Sequence, residues 1–261
     1  MKISTTHRKM KYSRLAIMGM LSMSIVFTSC DKKEDEEPTP TTPTTPPPAA
    51  PENPIPGFID GSGTLVGIQS RTFQNVPFVG TVPFDLGLAV AVFYNTPQDQ
   101  TFLDAGTVTA NSENLKKQNN NSYVYTPGPT NTEGIDFSLG EVDWSVSGST
   151  DIPAFNRTNF NGFPEVDELT SEKTIDRSMD YTLSSASISG ADSIIFMIGG
   201  ILHIVAGGNN SSTFTAAELG TLNAGQNFAQ ITGYNYTFYS DQGKKFYYVN
   251  ETVVTQSVTL K

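Results

Sequence analysis

One cysteine, two histidines and one tryptophan in 261 residues set the first limits on this chain. Without a second cysteine there is no intramolecular disulfide, so any folded part must be held together by its core. His7 sits in an amino-terminal segment that reads as a removable leader, which leaves His203 in an apolar strand context. Multi-histidine metal sites and catalytic triads built on histidine are therefore not expected, and His203 reads as a structural residue. Basic residues are also few, 16 against 26 acidic ones. Removing the five basic residues of the leader leaves 11 against 26, a net charge of −15. That balance excludes nucleic acid as a partner and argues equally against an anionic membrane surface. Long apolar runs are missing as well. The run from Leu15 to Phe27 is shorter than the roughly 20 residues that span a bilayer. The stretch from Ile194 to Ala206 is interrupted by Gly199, Gly200 and His203, and reads as two strands.

What is present begins with the amino terminus. Lys2, Arg8, Lys9, Lys11 and Arg14 precede the apolar run, which ends in Phe27-Thr28-Ser29-Cys30, small residues directly before the sole cysteine. An ordinary secretory signal ends in a small-x-small site and needs no thiol. The pattern resembles the lipobox of bacterial lipoproteins. The resemblance implies that diacylglycerol alkylates the Cys30 thiol, that the leader is cut before it and that the new amino terminus is acylated. Several acyl chains make a durable membrane anchor, each buried methylene contributing about 0.8 kcal/mol. Asp31-Lys32-Lys33-Glu34-Asp35-Glu36-Glu37 follows, and looks like the export signal that sends lipoproteins of Bacteroidetes to the cell-surface side of the outer membrane. Acidic runs also simply solubilise, so surface display competes with that plainer role. From Pro38 to Pro56 proline, threonine and alanine alternate with almost no apolar side chains, too little to bury for a fold. Such a chain prefers extended polyproline II, at about 3.1 Å per residue, and serves as a disordered tether.

Beyond Gly57 short runs of valine, isoleucine, tyrosine, phenylalanine and threonine are separated by glycine, asparagine, aspartate and proline, the marks of strands and turns. Strands are expected near residues 63–68, 86–94, 106–110, 122–125 and 135–147. A second set is expected near 174–176, 181–188, 193–198, 201–206, 228–239, 244–250 and 252–260. Thr215-Ala216-Ala217-Glu218 matches a capping box and predicts a single helical turn before Gly220. Ser240-Asp241-Gln242-Gly243 reads as a hairpin loop. The stretch from Ser149 to Pro164 shows no strand character and marks a boundary. The fold class is therefore all-β, as two antiparallel β-sandwiches behind the leader (1–29) and the lipidated cysteine with its tether (30–56). The amino-terminal β domain covers 57–149 and the carboxyl-terminal one 150–261. The cadence from Ala191-Asp192-Ser193-Ile194-Ile195 through Phe214-Thr215-Ala216-Ala217-Glu218-Leu219 to Tyr247-Tyr248-Val249-Asn250 resembles immunoglobulin-like domains of bacterial surface lipoproteins. That resemblance implies a sandwich and no catalytic motif.

The search for chemistry is brief. Glycosidase chemistry needs two facing carboxylates. Glu141 and Asp143 share one face of an expected strand, but Val142 and Trp144 alternate with them, so an exposed acidic face above a buried apolar one is the plainer account. Glu165, Asp167 and Glu168 lie in an expected loop, without the pattern of a calcium site. Gly61-Ser62-Gly63 lacks the helix and lysine of a phosphate loop and reads as a turn. The clearest binding signal is aromatic: Tyr234, Tyr236 and Phe238 on one parity of a strand, Tyr239 on the other, then Tyr247 and Tyr248. One such set can fill a core while the other stacks on a sugar or grips a protein, or all of them can be ordinary packing. No cofactor or metal is expected. The expected function is that of a non-catalytic binding, adhesion or structural lipoprotein of the cell envelope. A glycan-binding module is the alternative, and a carboxylate-dependent hydrolase is third.

Overall fold

The computed structural model describes residues 60–96, 101–129 and 131–261. The leader, Cys30 and the tether lie outside the described residues. Among those described, seventeen strands and one helical turn follow along the chain. They are β1 (Gly63–Val76), β2 (Gly80–Phe93), β3 (Val108–Ala110), β4 (Glu113–Asn114), β5 (Lys116–Lys117) and β6 (Tyr123–Tyr125). Next come β7 (Val142–Val146), β8 (Phe155–Asn159), β9 (Glu165–Val166), β10 (Thr174–Ile175), β11 (Tyr181–Ser184) and β12 (Ile188–Ser189). Last are β13 (Ser193–Ile198), β14 (Ile201–Ala206), β15 (Ser211–Phe214), α1 (Ala216–Leu219), β16 (Gly225–Asp241) and β17 (Lys244–Leu260). The described protein is all-β.

A nine-stranded sheet organises it, in the order β14-β13-β16-β17-β1-β2-β6-β5, with β10 also on β17. Its centre is the β16–β17 hairpin, paired without a break from Gly225↔Leu260 to Asp241↔Lys244. Gln242 and Gly243 close the hairpin, both at positive φ (49° and 80°), the geometry two-residue hairpin loops require. The β1–β17 pair is parallel, from Gly63↔Phe246 to Arg71↔Val254.

Alternation along β17 assigns the faces. Even-numbered residues point to an inner face that carries two cores. Phe246 and Tyr248 join Leu65, Phe93, Tyr123, Trp144, Val146 and Phe155 in the first core, beneath the four-stranded sheet β4-β3-β7-β8. Val254, Val258 and Leu260 join Phe196, Ile198, Ile231, Leu183, Val166 and Phe214 in the second, beneath the β9/β12 and β11/β15 pairs. Two cores are present, and the first draws Phe155, Phe246 and Tyr248 from beyond residue 149. The sequence does not announce that they share one sheet, so the hydrogen-bonded backbone runs through the expected boundary at 149/150.

The polypeptide crosses between the cores along residues 160–164, over a row where the sheet carries Gly67, Asn250 and Asn235 side by side. Asn250 Nδ2 donates to Gly162 O at 2.7 Å, and its Oδ1 accepts from Asn159 Nδ2 at 2.9 Å. Asn235 Nδ2 donates to Asn161 O and Gly162 O at 3.3 and 3.1 Å. Glycine suits the sheet beneath this strap: a Cβ on Gly67 would stand 3.1 Å from the Phe163 ring, and one on Gly233 3.2 Å from Pro164 Cβ, both tight contacts. The asparagines give the crossing backbone partners that an apolar sheet would deny it.

Three strand expectations are corrected. The segment 149–164 does contain a strand, β8, which pairs with β7 from Phe155↔Val146 to Asn159↔Val142. Its signal is weak because a buried end position is an asparagine rather than an apolar residue. The span 135–147 is strand only over Val142–Val146; Ile135 and Phe137 are buried from a loop that bonds to Gly87, with Ile135 N donating to Gly87 O at 3.0 Å. The segment 69–85, left unassigned between two expected strands, extends both β1 and β2.

Candidate functional site

The carboxyl-terminal aromatics divide by parity. Tyr248 is fully buried in the first core, and half-buried Tyr239 packs against it with ring centroids 5.4 Å apart. Tyr234, Tyr236, Phe238 and Tyr247 point to the outer face of the same sheet, where Tyr234 and Tyr247 are buried, Tyr236 half-buried and Phe238 52% exposed. At this end of the hairpin each face holds a cation against a ring. On the outer face Lys245 Nζ lies 3.9 Å from the Phe238 ring centre and 4.8 Å from that of Tyr247. Asp60 accepts from Lys245 Nζ at 2.9 Å and from the Tyr247 hydroxyl, bonds that hold the Asp60 carboxyl below its ordinary range. On the inner side Arg157 lies over Tyr239 and pairs with Asp241 at 2.6 Å. Lys245 and Arg157 therefore occupy ring faces on which a sugar would stack.

The outer face is broader than the aromatic cluster. Register places Leu202 and Ile204 of β14, Met197 of β13, Tyr236 and Phe238 of β16, and Leu86, Leu88, Val90 and Val92 of β2 on it, all half-buried or exposed. Their buried neighbours Val66, Ile68, Val249, Val253 and Ile195 belong to neither core. This face carries few charges, Lys245, the exposed Lys116 at its edge and the buried Glu251.

A second, polar surface lies on the β4-β3-β7-β8 sheet. Thr109, Ser112, Asp143, Trp144, Ser145, Asn156, Arg157 and Thr158 line an open depression of about 260 Å³. Val142, Trp144 and Val146 are buried while Asp143 is exposed, as the alternation predicts. The Asp143 carboxylate accepts from the Thr158 hydroxyl at 2.5 Å. Glu165 pairs with Arg71 rather than with another acid. Among the described residues no three metal-ligating side chains converge.

Sequence reasoning missed the company His203 keeps. Its Nδ1 is 2.9 Å from Ser212 Oγ and its Nε2 2.9 Å from Glu218 Oε1, while Phe214 stacks on the ring at 4.1 Å. The carboxylate sets the proton on Nε2, so Nδ1 accepts from the serine. A serine, a histidine and an acid in this order are the parts of an acyl-transfer relay. Here Glu218 Oε2 is also committed to the Thr215 backbone N–H and hydroxyl, each at 2.8 Å. Those bonds, the Thr215 backbone N–H first and His203 next, hold its carboxyl down at about 2. The group reads as a clasp tying β14 to β15 and α1. The capping box is present as the sequence predicts. Thr215→Ala is expected to cost about 1 kcal/mol in urea unfolding. An unchanged midpoint would mean that this cap holds nothing.

No family model matches the chain, and no curated protein matches it. Among solved structures it is similar to the fibronectin(III)-like modules of CbhA from Clostridium thermocellum, at 10% identity over 66% of this chain and 85% of that one, with a TM-score of 0.23. An overlap of that size carries no argument, and the architecture rests on the strands themselves. No helix among the described residues is long and apolar enough to cross a membrane.

Proposed function

We propose that this chain is a non-catalytic binding or structural module of the cell envelope, attached through lipid on Cys30 and displayed on the outer membrane, with an envelope protein as its partner. The observation that carries the reading is the set of apolar side chains left accessible on the outer face of the nine-stranded sheet, the exposed Phe238 and Phe228 together with the half-buried Leu88, Val90, Leu202 and Ile204. Contiguous apolar area of this kind marks interaction surfaces. Asp60, Asp85, Asp104, Glu165 and Asp241 are held in ion pairs and Glu218 in a helix cap. A photo-crosslinking residue at Phe238, in cells producing the full chain, is expected to capture one protein species. The same residue at Thr158, on the polar sheet, is expected to capture none. Loss of the product at 238, or identical products at both positions, overturns the assignment. Mass spectrometry of the native protein tests the anchor: an unmodified Cys30 thiol removes it.

The depression lined by Asp143, Asn156, Arg157 and Thr158 favours a second reading, a glycan-binding surface, because its hydroxyl, amide, carboxylate and guanidinium groups suit a polyhydroxylated ligand. Retardation in a polysaccharide affinity gel that Asp143→Ala abolishes would support it. No retardation by any polysaccharide removes it.

A further inference from the structure

We propose that the β1–β2 hairpin is a membrane-contacting finger whose tip, Phe78 and Val79, enters the interfacial layer of a zwitterionic lipid bilayer. The chain from Thr72 to Phe84 carries no ionisable side chain. β17 pairs with β1 only as far as Arg71↔Val254, and β6 pairs with β2 only over residues 89–91. Among the described residues the two strands beyond Arg71 and Asp85 pair only with each other, from Thr72↔Phe84 to Val76↔Gly80. The base of this ribbon is the last charged point. There the Arg71 guanidinium takes both oxygens of Asp85, at 2.8 and 2.9 Å, and reaches Glu165 as well.

At the far end Phe78 is fully exposed and Val79 is 72% exposed. Phe78 also has φ of 67°, the left-handed region that suits glycine or asparagine. The turn thus keeps an aromatic side chain in open solvent where the backbone would be better served by a glycine. Neither the outward position nor the conformation is explained by packing, and strain retained against the local preference points to use.

Size and charge together select lipid as the occupant. A ribbon two strands wide ending in two large side chains offers far less than the roughly 800 Å² that each partner contributes to a specific protein interface. A bilayer interface accepts two side chains without any matching surface. The finger has no lysine or arginine to attract anionic headgroups, and the strongly acidic chain is repelled by them, so neutral headgroups are the fit. Depth is limited by the backbone, because the free edges of the ribbon would enter hydrocarbon with unpaired N–H and C=O groups. The turn itself is better suited, since Pro77 has no N–H and Val79 N already donates to Val76 O at 3.1 Å. Phe73 still packs against the second core, so about four residues of strand beyond it, at roughly 3.3 Å each, hold the acidic body about 13 Å behind the tip.

The test uses the chain from position 30 onward with Cys30→Ser, so that neither leader nor acyl group contributes. It is expected to sediment with phosphatidylcholine vesicles. Phe78→Ser with Val79→Ser is expected to weaken that binding at least tenfold at an unchanged urea midpoint. In a Phe78→Trp variant brominated phosphatidylcholine is expected to quench the new emission and spare that of Trp144. Absence of vesicle binding by the parent, full binding by the double variant, or unquenched emission from the indole introduced at position 78 on bound protein each overturns the proposal. A protein cross-link at position 78 in cells, together with no vesicle binding, would replace it with a protein contact. None of these outcomes depends on the crosslinking at Phe238, so the finger and the sheet face fail separately.

Discussion

Replacing Glu251 by glutamine is expected to stabilise the protein by about 3 kcal/mol at pH 8 and to change little at pH 4. Glu251 lies midway along β17, opposite Ile68 on β1 and Tyr234 on β16, and is 9% exposed. Burial penalises its charged form and raises its pKa from 4.5 to about 7. Below pH 4 the carboxyl is protonated in both folded and unfolded chains, and no charge has to be buried. As the pH rises through the interval between the two values, the unfolded chain releases its proton first, folding must take one up, and stability falls. Above pH 7 the full cost is in place, roughly 1.4 kcal/mol for each unit of that interval. Glutamine fills the same volume without a charge at any pH. Glu218 and Asp104, both held down at about 2, act in the opposite sense, their contribution being lost as the pH falls toward that value. They are common to parent and variant and cancel in the difference. Urea unfolding at pH 4, 6 and 8 measures it, and an equal gain at all three would show that the carboxylate charge is not the cause.

Strands with one buried face were legible in the sequence. The two short strands around Gly199-Gly200, the aromatic hairpin closed at Gln242-Gly243 and the Thr215 capping box all carry their cause locally, in alternation or in a named hydrogen bond. The finger was not legible, because beyond Phe73 a ribbon that covers no core needs no alternation, and Gln74, Asn75, Pro77 and Pro83 look like loop. Nor was the shared sheet. The parallel partners Gly63 and Phe246 are far apart in sequence, and no local feature of either strand names the other. The parity of Tyr234, Tyr236 and Phe238 against Tyr239 was readable, but which parity faced the core depended on Trp144 and Phe155, brought over from another sheet. Ser212 and Glu218 escaped notice as neighbours of His203 for the same reason, since three elements of unrelated pattern meet there.

The same dependence on distant partners makes Asn250→Leu the most damaging of the single substitutions considered, with an expected cost of about 2–4 kcal/mol. Asn250 and Asn159 are both fully buried. Leucine is close in size but has neither the amide that donates to Gly162 O nor the oxygen that accepts from Asn159 Nδ2. Asn159 Nδ2 is left without this partner, at about 1–3 kcal/mol, and Gly162 O keeps the Asn235 amide but loses one bond worth about 1 kcal/mol. Because β16 and β17 run through both cores, the damage is expected to reach each of them. Trp144 emission, which reports the first core, and far-ultraviolet circular dichroism, which reports the whole, should shift together to lower urea. Separate transitions in the parent would mean that the two cores fold independently in spite of their common sheet. Asn159→Ala supplies the second arm of a double-mutant cycle: once Asn250 is leucine, removing the Asn159 amide should cost less than it does in the parent. If the two substitutions are additive, the asparagine pair is not what holds the strap to the sheet, and the burden falls on the Gly67 and Gly233 contacts alone.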